Sequence, residues 1–453
     1  MVELIYMKLN NERRQNLLAT ELMEKILERE NMMQAYKKVK SNKGACGIDG
    51  IGTDEIRDYL IENWTSIKNR IIKRKYKPQP VLRVEIPKPN GGVRNLGIPN
   101  VVDRIIEQAI AQVVSPIAEQ HFSEYSYGFR PGRCAEMAII KSLEFMNDGY
   151  TWIVDIDLEK FFDNVPHDKL MTLVQKIIHD PDTESLIKKY LTAGVMIRGK
   201  YEETKLGTPQ GGNLSPLLSN IMLNELDKEL EKRGLHFVRY ADDCIITVGS
   251  SASANRVMNT VTKWIERKLG LKVNATKSKI TRPTNLKYLG FSFYKIGTKW
   301  EVRIHEDSIT RFKRKLKKLT KRSWSVDMTY RIKKLNEVIR GFINYFKIRK
   351  MRKHMELIDR RIRNRMRVVI WKQWKTSEKR FWGLRKLGAP VWMAKQSVGF
   401  GNHYQAVIKT TGLNKITKEI FTKRGLISCL DYYMKLNRGV PNGTLRGVRG
   451  ATS

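Results

Sequence analysis

The sequence predicts an α+β protein followed by an all-helical, strongly basic region. Three observations carry this reading. Two alternating apolar segments run into tight turns, VLRVEI before Asn90-Gly91 and FVR before Ala241-Asp242, and read as antiparallel hairpins. Segments with apolar residues at helical spacing lie between and around them. From about residue 305 the alternation stops, and residues 301–380 hold 27 Lys and Arg against 8 Asp and Glu, a net +19.

The elements follow in order. Residues 17–40 read as an amphipathic helix or helix pair, 42–52 (NKGACGIDGIG) as a turn-rich loop, and 53–74 as a second helix. The stretch Tyr76 to Pro99 carries five prolines around the first hairpin. Residues 101–121 look helical, with Pro116 breaking the run. A strand is expected over Trp152 to Asp157, then helical stretches to about 193. A turn follows at Gly207 to Gly212, and then a strong helix over 214–233. The second hairpin comes next, then a helix over 252–269, a short strand near 271 and a strand pair around 286–304. Basic helices are expected at 307–322, 328–347 and 353–375, with Leu335, Val338, Ile339, Phe342, Ile343 and Phe346 on one core face. Residues 376–453 are basic and weakly patterned.

Length and charge bound the function. At 453 residues the chain exceeds one ordinary domain, so two to four are expected. Lys and Arg total 85 against 46 Asp and Glu, and a surplus of +39 repels itself unless a polyanion neutralises it. Nucleic acid is the natural polyanion, since each phosphate contact releases condensed counterions. A membrane surface is the competitor, but no apolar run nears 18 residues and no lipidation motif is present. The apolar patch in MVELIYMKLNNERRQ is too short for a signal core. Cys46, Cys134, Cys244 and Cys429 are far apart and the histidines are scattered. That pattern offers no zinc site, no disulfide framework and no His-Asn-His nuclease cluster. A reducing, cytoplasmic setting is expected.

The acidic residues carry the chemistry. Asp242 and Asp243 sit between two apolar runs at a hairpin tip, where adjacent carboxylates repel. Alone, such a pair is equally compatible with a plain surface turn. Asp155 and Asp157 stand two apart on an apolar strand and so project to one face. Buried carboxylates of this kind need a cation. One strand acid beside two hairpin acids can hold two divalent ions about 3.5–4 Å apart, and oxygen donors suit Mg²⁺, or Mn²⁺ in its place.

Eight blocks then occur in one order: NKGACGIDG, RVEIPKPNGGVRNLGIPN, SYGFRPGRC, WIVDIDLEKFFDNV, GTPQGGNLSPLLSNIMLNELD, VRYADDCII, GLKVNATKSK and LKYLGFSF. On these the chain resembles bacterial group II intron-encoded reverse transcriptases, also called intron maturases, from about residue 20 to about 375. The resemblance implies a right-hand polymerase: an N-terminal extension and fingers over 1–100, a palm with remaining fingers elements over 101–304, a helical thumb (the maturase domain) over 305–375, and a basic C-terminal region over 376–453, a candidate DNA-binding domain. It implies RNA-directed DNA synthesis with dNTPs, an RNA template and a DNA or RNA primer. It further implies intron RNA binding for splicing, and target DNA for retrohoming.

The residue roles implied are as follows. In the family an aromatic follows the first catalytic Asp after four residues; Asp157 and Phe162 match, whereas Asp155 and Lys160 do not. Asp157, Asp242 and Asp243 would hold two metal ions, with Asp155 in support. Phe162 would gate the sugar, Gln210 and Gly211 would lie near the nucleotide, and Lys88 and Arg94 would grip the triphosphate. Arg130 would touch the template, and Tyr288, Leu289 and Gly290 would support the primer end. Lys277 is a candidate general acid for pyrophosphate. With only His403 and Cys429 as ligand types in the tail, a metal-dependent endonuclease is not expected. Two other readings stand beside this one: a non-catalytic splicing cofactor that binds RNA, and a reverse transcriptase of a phage-defence or CRISPR system.

Overall fold

A computed structural model describes residues 22–87, 91–348 and 351–437. The chain divides into two compact units, Met1–Pro283 and Thr284–Ser453.

The first unit is built around a buried helix, Val101–Glu119. Its Ile106, Ala109, Ile110, Val114 and Ala118 are fully buried, and helices Arg29–Ser41, His167–Ile178 and Ser215–Lys232 pack against it. Pro116 lies inside this helix without ending it, contrary to the sequence reading. The backbone bond that proline forgoes is outweighed by the apolar surface the helix buries on both sides.

The unit also holds two four-stranded sheets. In one, strands β3 (Trp152–Ile156), β6 (His236–Tyr240), β7 (Asp243–Val248) and β8 (Lys279–Thr281) run in the order β6-β7-β3-β8, all antiparallel. Alternation explains β7: Cys244 and Ile246 enter the main core, while Ile245 and Thr247 are buried on the other face. In the other sheet, β1 (Val81–Pro87) and β2 (Val93–Ile98) form the expected hairpin, and β4 (Val195–Ile197) pairs parallel to β1 and antiparallel to β5 (Lys200–Glu202). The strand expected near 271 is a single bridge, Leu158 to Val273, and β8 lies further on.

The second unit opens with the hairpin β9 (Phe291–Ile296) and β10 (Lys299–Ile304), which the sequence reading groups with the palm. Helices Glu306–Leu319, Met328–Phe346 and Arg352–Gln373 follow the three basic patterns closely. Phe312 and Phe342 stack at 3.8 Å between the first two. Beyond them the weakly patterned tail is also helical, with Ser377–Lys386, Val391–Gly399 and Cys429–Leu436. Buried Asp359 accepts from Ser428 Oγ, Cys429 N and Leu430 N at 2.7, 2.7 and 3.0 Å, and so caps that last helix from outside it. Among the described residues no helix is long and apolar enough to cross a membrane.

Candidate active site

The acids gather at one end of the β6-β7-β3-β8 sheet. Tyr240 and Asp243 are the last pair of the β6–β7 ladder, so Ala241 and Asp242 form the turn. Ile156 pairs with Cys244, and continuing that register by one residue sets Asp157 beside Asp243. Asp157 is fixed through its backbone: its N–H donates to Ser278 Oγ at 3.0 Å and its carbonyl accepts from Asn274 N at 2.8 Å.

The turn takes an uncommon shape for a reason. Ala241 has φ +58°, in the left-handed region. Arg239 holds it there by donating to the Ala241 carbonyl at 2.9 Å. Gly128 presses on the same backbone; a β-carbon there would stand 2.1 Å from Ala241 N. Asn220 closes the arrangement, donating to the Gly128 carbonyl at 2.8 Å and accepting from Arg239 at 3.1 Å.

The electrostatics match a site built for cations. Burial pushes the Asp243 carboxyl up to about 7, with Asp242, Asp155 and Asp157 adding repulsion. Asp242 is raised by burial and by Asp157, while Arg94 and Arg239 oppose the shift. Burial raises Asp155 to about 6, against the pull of Lys279, its partner across β8. Lys277 Nζ lies 3.4 Å from Asp157 Oδ1.

A second cluster forms where the turn at 207–212 meets the start of helix Phe161–Asn164. The Thr208 N–H donates to the Phe162 carbonyl at 2.7 Å, and the Gly97 N–H to the Gln210 carbonyl at 2.9 Å. Gly211, at φ +129°, needs its missing side chain: a β-carbon would meet the Gly97 carbonyl at 2.6 Å. Phe162 and Gln210 thus line one pocket of about 280 Å³ with Arg83, Lys160 and Thr208.

Comparison with known proteins gives this geometry its context. Residues 86–293 match the family model for reverse transcriptase (RNA-dependent DNA polymerase), and residues 309–388 match the group II intron maturase-specific domain. The chain is 33% identical to Protein YkfC of Escherichia coli (strain K12) over 299 residues, 57% of this chain and 78% of that protein. The chain belongs to the group II intron reverse transcriptase/maturase family. It is also 38% identical over 212 residues to group II intron-encoded protein LtrA of Lactococcus lactis subsp. cremoris, covering 47% of this chain and 35% of LtrA. It is 30% identical over 355 residues to the putative COX1/OXI3 intron 2 protein of Saccharomyces cerevisiae, covering 65% of this chain and 41% of that protein. The chain spans well under half the length of these last two relatives.

Reverse transcriptases generally use divalent metals, and the donor set here suits them. Among the described residues no three His, Cys, Asp or Glu side chains form a ready-made metal cage. Mg²⁺ does not require one, being held by one or two carboxylates together with substrate phosphates and water. Hard oxygen donors, with Asp242 and Asp243 raised by burial and then by neighbouring carboxylates, fit such an ion.

The remaining expected site residues of this reverse transcriptase divide. Arg94 is exposed on β2, and its charge reaches Asp242. Lys88 lies outside the described residues. Arg130, expected to touch the template, is buried. Its guanidinium is spent on Glu119, at 2.6 Å, and on the Ser123 and Ser126 carbonyls. Phe129, 51% exposed, is the outward residue of that turn. Tyr288, Leu289 and Gly290 belong to the second unit, where Tyr345 Oη donates to the Leu289 carbonyl and Ser308 Oγ to the Gly290 carbonyl, both at 3.0 Å.

Sequence reasoning missed Arg239 and its ion-pair partner Asp227, both fully buried. The signal was available: in His-Phe-Val-Arg-Tyr, a charged residue stands within an otherwise apolar strand beside the paired acids.

Proposed function

We propose that this protein copies RNA into DNA by adding dNTPs to a primer 3′-hydroxyl, and that its basic helical unit binds intron RNA to assist splicing and retrohoming into target DNA. The observation that supports the polymerase reading is the gathering of Asp157, Asp242 and Asp243 at one sheet end.

In this reading Asp157, Asp242 and Asp243 hold two divalent ions, Mg²⁺ or Mn²⁺. Such ions, when bound, favour the ionised primer hydroxyl and offset charge on the departing pyrophosphate. Lys88 and Arg94 grip the triphosphate and neutralise its charge. Phe162 lies against the sugar and leaves no room for a 2′-hydroxyl. Gln210 and Gly211 form the floor beside it. Lys277, close to Asp157, delivers a proton to the leaving pyrophosphate. Tyr288, Leu289 and Gly290 support the primer. The match to the maturase-specific domain and the +19 charge over residues 301–380 support intron RNA as the partner of the second unit.

Primer extension on an RNA template with Mg²⁺ and dNTPs tests this, with wild type beside Asp242→Asn. Extension by wild type alone is expected. Tight RNA binding without extension by either protein would transfer the function to splicing assistance alone.

A further inference from the structure

One buried carboxylate lies behind the turn that carries Gln210 and takes no part in the chemistry above. Glu107, on the Val101–Glu119 helix, is only 3% exposed. Its Oε2 accepts the Asn213 N–H at 2.6 Å, and the Leu214 N–H bonds to the same carboxyl. The next residue, Gln108, accepts from Asn213 Nδ2 at 3.2 Å. Gly212 packs directly on the acid: a β-carbon there would stand 3.1 Å from Oε2 and 3.4 Å from Oε1.

These contacts complete a frame. Upstream, Thr208 is tied to Phe162, and Gly97 to the Gln210 carbonyl. Ser215 Oγ donates to the Pro209 carbonyl at 2.7 Å. Downstream, helix Ser215–Lys232 begins at Leu214, whose side chain cannot cap it. Glu107, from another element, accepts the N–H groups of Leu214 and of Asn213 just before it. An apolar residue at 107 would leave two N–H groups unmet, whereas a glutamine oxygen would still accept them.

We propose that Glu107 is a positioning residue for the nucleotide-binding turn, setting where Gln210 and Gly211 stand against an incoming dNTP by tethering Asn213 and Leu214. The inference rests on the polymerase reading. Its physical basis is that small displacements of substrate-positioning groups can cost as much as about 100-fold in rate.

Steady-state dNTP kinetics on a primed RNA template test it, with template–primer affinity and thermal unfolding measured alongside. Glu107→Leu is expected to raise KM for dNTP about tenfold, with a smaller fall in kcat and unchanged template–primer affinity. Glu107→Gln is expected to restore KM to within twofold of wild type. Gly212→Ala, which crowds the same carboxyl, is expected to raise KM in the same direction. A folded Glu107→Leu enzyme with normal KM overturns the inference alone. If Glu107→Leu does not fold, Gly212→Ala decides, and a normal KM there overturns it equally. A wild type that binds RNA and extends no primer overturns the polymerase reading and this inference with it.

Discussion

Arg239 and Asp227 form an ion pair at 2.5 Å with neither side chain exposed to solvent. The pair is bidentate, and the same guanidinium reaches Asn220 and the Ala241 carbonyl. Removing one partner strands a buried charge, which costs about 3–5 kcal/mol. Asp227→Ala should therefore lower thermal stability markedly. The double variant Arg239→Met with Asp227→Leu should lose less, because no orphan charge remains. Calorimetric unfolding of the three proteins checks this. Equal losses in the single and double variants would show that the stranded charge is not what matters.

Stability should also depend on pH through Glu107. Burial raises its carboxyl from 4.5 to about 8, so the folded protein holds a proton that the unfolded chain releases. The contribution is fully present below pH 4.5 and is lost as pH rises through 8. Asp103, raised from 3.8 to about 6 by burial, acts in the same direction at lower pH. Glu107→Gln cannot release a proton. The variant should gain thermal stability relative to wild type as pH goes from 5 to 8.5. A constant difference across that range would mean Glu107 titrates normally.

Lys277 separates stability from catalysis. Its pair with Asp157 spans 3.4 Å, with the lysine side chain 61% exposed, and exposed pairs contribute little to folding. Lys277→Met should leave the unfolding temperature nearly unchanged. If Lys277 protonates pyrophosphate, kcat should fall by about 100-fold or more, the usual scale of general acid catalysis. A kcat within twofold of wild type would reduce Lys277 to a surface cation.

These residues show what the sequence makes legible. The acids, the hairpins and the three basic helices are readable because periodicity and turn chemistry are local. The β4–β5 hairpin has only three residues per strand, too few for a periodic signal, and its partner β1 lies more than a hundred residues earlier. The tail helices were hidden for a related reason: Asp359, a distant residue, caps Cys429–Leu436. Arg130 shows the limit of a motif. A motif names a residue, but whether its guanidinium faces solvent or Glu119 is settled by tertiary packing.

Phe162 should set the choice of sugar. Its backbone is anchored by Thr208, and its ring packs edge-to-face on Phe161 at 5.2 Å, so its position is well defined. Phe162→Ala should lower the preference for dNTPs over ribonucleotides by roughly 10- to 100-fold, the range open to steric discrimination in a pocket. Competition between dATP and ATP in single-nucleotide extension measures it. Unchanged discrimination would assign Phe162 to packing.

The basic helices should contain two kinds of arginine, and salt titration should tell them apart. Arg331 is buried and donates to the carbonyls of Leu319, Lys321 and Trp324, capping the end of helix Glu306–Leu319. Arg365 donates to Lys317 and Thr320 at the same helix end. Arg311, Arg314 and Lys315 on that helix are exposed. Changing these three to Gln should weaken RNA binding at low salt and flatten the dependence of log affinity on log salt by about two to three units, at roughly 0.7–0.9 for each phosphate that is no longer neutralised. Folding should be unaffected. Arg331→Gln should do the reverse, lowering stability while leaving the salt slope of the folded protein in place. If both variants flatten the slope equally, the distinction between structural and phosphate-facing arginines fails, and Arg331 must reach RNA through a rearranged helix end.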